Sequence, residues 1–138
     1  MRAFKFVALA LPLLLTAAAC DSAIDNIPLT PDPVTVTETF SGSVNINGAA
    51  THSFFTTATG AVTATLISLG ENPPEQVGFS LGTLAGSTCS IVLANDKAIV
   101  TSVIVGAVTT LQGSLCVRIY DVGSLTQSVP YEIKVEHK

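Results

Sequence analysis

Short stretches in which apolar and polar residues alternate recur along most of the chain. In the clearest of them, Val62, Ala64 and Leu66 point to one side and Thr63 and Thr65 to the other. A period of two is typical of a β-strand that buries one face. Comparable stretches, some of them shorter, lie at 40–46, 52–57, 77–82, 89–93, 103–105, 115–120 and 131–136. The pattern therefore predicts about eight short strands.

Turn residues separate these stretches. Asn47-Gly48 and Asn95-Asp96 predict tight turns, and residues 71–76 predict a loop. The region 98–111 can form either one strand or two. No stretch beyond the first twenty residues has a convincing helical period. Many short strands at regular spacing predict an all-β sandwich.

The first nineteen residues predict a signal peptide. Arg2 and Lys5 precede an apolar run at 6–15, and small residues follow before Cys20. The apolar run of about ten residues is too short for a membrane-spanning helix, which needs roughly 20. Residues 1–19 are therefore expected to be removed, and the mature chain to begin at Cys20.

Two kinds of cleavage are consistent with this site. Ala17 and Ala19 form an A-x-A secretory site. The four residues Ala17 to Cys20 also resemble a bacterial lipobox, although that motif usually has Leu, Val or Ile where Ala17 stands. We predict a lipoprotein acylated at Cys20 and anchored in the cell envelope, outside the cytoplasmic membrane. The alternative is a secreted protein in which Cys20 is free or joins another chain.

The cysteine count favours lipidation. A secreted chain rarely leaves one of three cysteines without a role. If Cys20 carries lipid, Cys89 and Cys116 remain as a pair, and an oxidising compartment allows them to form a disulfide. Because they fall in separate predicted strands, the bridge would join two parts of the sandwich.

The segment between Cys20 and the first strand predicts a tether. Pro28, Pro31 and Pro33 favour extended backbone in residues 20–36. Alternatively, the alternation at its end could form an edge strand. The predicted globular domain occupies residues 37–138.

The charge balance excludes one class of partner. Without Arg2 and Lys5, four basic residues stand against ten acidic ones. A basic patch for nucleic acid is therefore absent. The expected associations are with the membrane through the lipid, and with a protein or other component of the envelope.

The order of several motifs resembles the bacterial pre-peptidase C-terminal domain. They are Thr39-Phe-Ser-Gly-Ser-Val, His52-Ser-Phe, Gly60-Ala-Val-Thr-Ala-Thr-Leu, Cys116-Val-Arg-Ile-Tyr-Asp and Tyr131-Glu-Ile-Lys-Val. The resemblance covers roughly residues 37–136. It implies a jelly-roll β-sandwich and a non-catalytic accessory role, whereas in this sequence no attached enzyme is seen.

Catalytic chemistry has little support. A hydrolase needs a nucleophile, a base and a group that orients the base. His137 is the penultimate residue and is expected to be frayed, and His52 is expected to face solvent on a strand. The sequence therefore predicts no enzyme and no catalytic residue.

Ligand binding is the alternative function. Calcium could bind loop carboxylates, with Asp96 and Asp121 as weak candidates and Glu71 and Glu75 nearby, but no D-x-D-x-D-G loop occurs. The expected cofactor is therefore none, with calcium as the alternative.

Carbohydrate would need an exposed aromatic side chain. Phe54, Phe79 and Tyr131 occupy inward positions in the pattern, which leaves Tyr120 as the best candidate.

A structural turn is predicted after the strand that ends at Tyr120. Arg118 and Asp121 are expected to pair and to organise the loop, and Gly123 to adopt a positive φ. The leading hypothesis is a non-enzymatic, membrane-anchored β-sandwich that displays a surface to a protein or envelope partner.

Overall fold

The computed structural model describes residues 31–138. The strands are β1 (Val36–Val44), β2 (Ala49–Thr56), β3 (Gly60–Ser68), β4 (Val77–Ala85), β5 (Thr88–Ala98), β6 (Val103–Val108), β7 (Gly113–Tyr120) and β8 (Val129–His137). In this part of the chain no helix is long and apolar enough to cross a membrane. The predicted signal peptide, the predicted lipidation at Cys20 and most of the predicted tether lie outside the described residues.

The strands form two antiparallel sheets of four strands each. The first sheet has the order β1-β8-β3-β6, and the second has the order β2-β7-β4-β5. This is the strand order of an eight-stranded jelly roll. The predicted all-β, jelly-roll-like sandwich of about eight strands is therefore confirmed.

Alternate residues of the central strands form the core between the sheets. Val62, Ala64 and Leu66 of β3 are buried, as are Phe79 of β4 and Ile133 of β8. The period-two alternation thus identifies the inward face of these strands correctly. Burying this apolar surface is the main driving force for pairing the two sheets.

The predicted turn at Asn95-Asp96 is wrong. β5 continues through these residues to Ala98. The register between β4 and β5 instead shifts twice, between Val77 and Phe79 and between Leu81 and Gly82. These irregularities absorb extra residues of β5 without ending it, as β-bulges do.

The region 98–111 contains one complete strand, β6, and the last residue of β5. β5 ends at Ala98, a turn follows in which Thr101 has a φ of 76°, and β6 occupies Val103–Val108. The Thr101 amide donates to the carbonyl of Leu66 at 2.8 Å, and Leu66 in turn donates to Ser102. These bonds fix the turn against the end of β3.

The Asn47-Gly48 turn forms, but it does not join a hairpin. Asn47 has a φ of 53°, and the Gly48 amide donates to the Asn45 carbonyl at 2.9 Å. The strands on either side, β1 and β2, belong to different sheets. The turn therefore carries the chain from one layer of the sandwich to the other.

The two long sides of the sandwich differ. At the closed edge, where β1 and β2 are the outermost strands, the Phe40 and His52 rings stack with their centroids 4.9 Å apart. At the open edge, the outermost strands are β5 and β6. The space between these two strands is the groove described below.

Candidate functional site

The predicted disulfide forms, and it crosses over a strand. Cys89 of β5 and Cys116 of β7 are joined, with their Cα atoms 5.9 Å apart. β4 lies between β5 and β7 in the sheet. Two strand spacings would be about 9.6 Å, so the second sheet must be sharply curved where the bridge crosses it.

Small residues on β4 allow this curvature. The outward residues of β4 lie opposite larger residues of β7: Gly78 opposite Tyr120, Ser80 opposite Arg118 and Gly82 opposite Cys116. A Cβ atom on Gly82 would overlap the Ser90 backbone carbonyl, and one on Gly78 would overlap the Tyr120 ring. Glycine is therefore required at both positions for β5 and β7 to approach each other.

Tyr120 makes a second connection across β4. Its hydroxyl donates to the Asp96 carboxylate on β5, and the Arg118 guanidinium lies 5.6 Å from the ring centroid. Burial, followed by the hydrogen bond and charge of Asp96, raises the pKa of Tyr120 to about 12. With Gly78 beneath the ring and Arg118 over it, Tyr120 is engaged within the sheet and does not form an open platform for a sugar.

Asp121 organises the loop after β7. Its Oδ2 accepts from the Asn47 amide at 2.8 Å, and its Oδ1 accepts from the amides of Gly123, Ser124 and Leu125 at 2.8, 3.0 and 3.1 Å. The hydrogen bond from Asn47, supported by the other three, lowers the pKa of this carboxyl. Asp121 thereby ties the β1–β2 turn to the β7–β8 loop.

The expected pair of Arg118 with Asp121 is not among the ion pairs of the described residues. Arg118 lies over Tyr120, and Asp121 binds backbone amides instead. Gly123 has the expected positive φ, at 90°. Backbone donors, which leave no trace in the sequence pattern, satisfy the Asp121 carboxylate without help from Arg118.

The weak calcium candidates are held in separate contacts. Asp96 accepts from Tyr120, Asp121 accepts from four amides, and Glu71 and Glu75 are exposed in the loop before β4. Within residues 31–138 no group of three or more His, Cys, Asp or Glu side chains converges. The described geometry thus offers the calcium alternative no assembled set of ligands.

Both expectations for the histidines are wrong. His137 is 3% exposed in β8, and its Nε2 donates to Glu38 Oε1 at 2.8 Å. His52 faces inward, stacks on Phe40 and bonds the Tyr131 hydroxyl at 2.7 Å. Burial lowers the pKa of His52. The two histidines serve the closed edge as packing and hydrogen-bonding residues.

A groove between the two sheets lies at the open edge. It has a volume of about 590 Å³, which is within the range of about 300–1,000 Å³ for ligand pockets. Its lining residues are Ala61, Val62, Leu81, Gly82, Thr83, Val92, Leu93, Val105, Gly106, Ala107, Val108 and Leu115. The lining contains one hydroxyl and no charged side chain, so it suits an apolar occupant.

Gly106 gives the groove its width. A Cβ atom at this position would lie 3.0 Å from Leu81 Cδ2 and 3.5 Å from Leu93 Cδ1. Both leucines project from the opposite sheet. Any larger residue at position 106 would therefore extend into the groove.

The rim of the groove exposes apolar side chains. Val92 of β5 is 67% exposed, and Val103 and Val105 of β6 are 50% and 60% exposed. Leu93 of β5, which also lines the groove, is 37% exposed. Exposed apolar side chains beside an apolar groove are typical of interaction sites.

The lining of the groove carries no charged side chain, and the strands around it carry few. Two stretches, 76–95 and 98–117, contain no charged residue, and they provide β4, most of β5, all of β6 and most of β7. The alternation of apolar and polar residues does not predict the groove, because each strand's pattern reports only its own buried face. The uncharged stretches do not locate it either, since residues 39–70 are also free of charge and form most of β1 and all of β2 and β3.

No family model matches the chain, and no curated protein matches it. Among solved structures, the chain is similar to the mitogen derived from Yersinia pseudotuberculosis, with a TM-score of 0.56 and 14% identity. The match covers 76% of this chain and 88% of the mitogen. At this identity the likeness shows the fold alone. The resemblance to the pre-peptidase C-terminal domain stays a prediction.

Proposed function

We propose that this chain is a non-enzymatic lipoprotein of the bacterial cell envelope that binds a protein partner through the open edge of its β-sandwich. The observation that carries the proposal is the uncharged groove between β5 and β6 with its exposed rim of Val92, Val103 and Val105. The groove and its rim bring exposed apolar side chains together with the unpaired edges of β5 and β6.

The form of the groove favours a protein partner. A strand edge offers backbone amides and carbonyls, and an extended peptide can satisfy them while its side chains enter an adjacent pocket. A purely hydrocarbon ligand would fill the groove but leave those backbone groups unused. The absence of charge in the lining argues against an ionic ligand in this place.

The anchor follows from the lipobox resemblance and the cysteine count. The bridge between Cys89 and Cys116 leaves Cys20 as the odd cysteine of the three. Acyl chains contribute about 0.8 kcal/mol per buried methylene, so two or three chains hold a protein stably on a membrane. Anchoring would keep the open edge available to partners at the membrane surface.

Site-specific photo-crosslinking in intact cells tests the binding edge. We would place p-benzoylphenylalanine at Val105 on β6, and at Thr39 as a control, since Thr39 is an exposed residue of β1 at the other edge of the same sheet. The proposal expects a discrete adduct from position 105 and none from position 39. Adducts from neither position, or equally from both, would contradict it.

The intact mass of protein extracted from membranes tests the anchor. The expected species begins at Cys20, carries a diacylglyceryl group, and lacks two hydrogens because of the Cys89–Cys116 bridge. An unmodified chain beginning at Cys20 would mean a secreted protein, and the envelope anchor would be refuted.

A further inference from the structure

β6 is an edge strand without the features that usually block strand addition. Proteins commonly protect such edges with charged residues, proline, bulges or a covering element. β6 contains no charged residue and no proline. It pairs with β3 in an unbroken register from Val103 opposite Thr65 to Val108 opposite Gly60. Its other edge has no strand partner in the first sheet.

Two of the other three edge strands are better protected. β1, at the opposite edge of the same sheet, carries Glu38. β5, across the groove, is interrupted by two register shifts and is tied to β7 by the disulfide. β2, the fourth edge strand, also lacks charged residues and proline and pairs with β7 in an unbroken register, but its exposed residues include Thr51 and Ser53. The exposed residues of β6 are all apolar, so its edge is the one best suited to pair with an apolar strand.

From this edge we infer that the partner at the open edge is a second copy of this chain, whose β6 pairs antiparallel with the first across a two-fold axis. The inference rests on the proposed function, because it names the partner for the same edge. The pairing would join two first sheets into one continuous sheet of eight strands.

The distribution of charge favours a second copy. The described residues include eight acidic and four basic side chains, so two copies have the same net negative charge and repel each other overall. All twelve lie outside the uncharged stretches 76–95 and 98–117. Contact through β6 therefore brings two acidic proteins together where neither carries charge.

The sequence of β6 is complementary to itself in one register. For the two joined sheets to share one outer face, each outward-facing residue of one β6 must lie opposite an outward-facing residue of the other β6. Centring the pair on Val105 places Val105 opposite its own copy, Val103 opposite Ala107, and Ile104 opposite Gly106. Every pair is apolar, and the large Ile104 meets the small Gly106. Val103 and Val105, which are half or more exposed in one copy, would be covered by this contact.

Sedimentation equilibrium of the full mature chain, in a detergent of matched density, tests the inference. The wild-type protein is expected to have the mass of a dimer, and Val105→Lys the mass of a monomer, because two ammonium groups would be opposed at the centre of the pair. Val103→Lys is expected to weaken the dimer as well. Thr39→Lys, a matched change on β1, should remain dimeric. Far-UV circular dichroism spectra that match the wild type, each with a cooperative thermal transition, would show that the lysine variants are folded.

The outcomes separate this inference from the proposed function. A wild-type monomer at all concentrations, or a dimer that Val105→Lys leaves intact, would overturn the β6–β6 pairing. If a monomer still gives a crosslinked adduct at position 105 with another protein or an extended peptide, the proposed function survives and the second copy does not. A monomer without any adduct at that position would refute both.

Discussion

Breaking the disulfide should destabilise the domain strongly. Cys89 and Cys116 are 27 residues apart in sequence, and closing such a loop stabilises the native state by about 3.5 kcal/mol in the chain-entropy model. For a domain of this size that loss corresponds to a drop in melting temperature of roughly 15 °C. Reduction should also loosen β5 in particular, because the bridge ties this outermost strand to β7 across β4.

Urea unfolding of oxidised and reduced protein measures the effect. A lipid-free chain with Cys20→Ala leaves the bridge as the only source of thiols. The double variant Cys89→Ala/Cys116→Ala should unfold near the reduced midpoint and should not respond to reductant. Equal midpoints for the oxidised and reduced protein would refute the reasoning, and so would a double variant that reductant still destabilises.

Three further changes test the contacts around the sandwich. Burial lowers the pKa of His52, so the unfolded chain binds a proton there more readily than the folded protein does. The urea midpoint should therefore fall as the pH drops below about 6.5. His52→Gln should reduce this pH dependence between pH 7.5 and 5.5. Gly78→Ala should displace the Tyr120 ring and lower the free energy of unfolding by about 1–3 kcal/mol, as overpacking does, which thermal melting would measure. Gly123→Asn, at an open position with positive φ, should lower it less. Asp121→Ala removes the acceptor for four amides. It should lower the melting temperature and speed amide exchange of Asn47. Unchanged exchange at Asn47 would mean that Asp121 does not tie the β1–β2 turn to the β7–β8 loop.

The fold was predictable because each central strand has one apolar face. The alternation at Val62, Ala64 and Leu66 reports burial directly, and the turn residues around such strands limit their length. Where the alternation of apolar and polar residues was weak, the prediction was wrong. Asn95-Asp96 has the composition of a turn, yet pairing with β4 and a bulge keep β5 extended through it.

The candidate site was harder to predict because it depends on contacts between distant strands. His137 is the penultimate residue, but pairing of β8 with β1 and β3 buries it beside Glu38. The groove arises where the edges of two different sheets lie side by side. Gly106 matters there because a side chain at this position would meet Leu81 of the opposite sheet. No local pattern contains that information.

Hydrogen exchange of β6 in membrane-embedded, full-length protein would show whether a partner strand occupies the open edge. An unoccupied edge leaves alternate amides of β6 open to solvent, whereas a partner strand protects them. We expect slow exchange of these amides in the wild-type protein and fast exchange in Val105→Lys, with β1 unchanged. Fast exchange in both proteins would show that nothing occupies the open edge and would refute binding there.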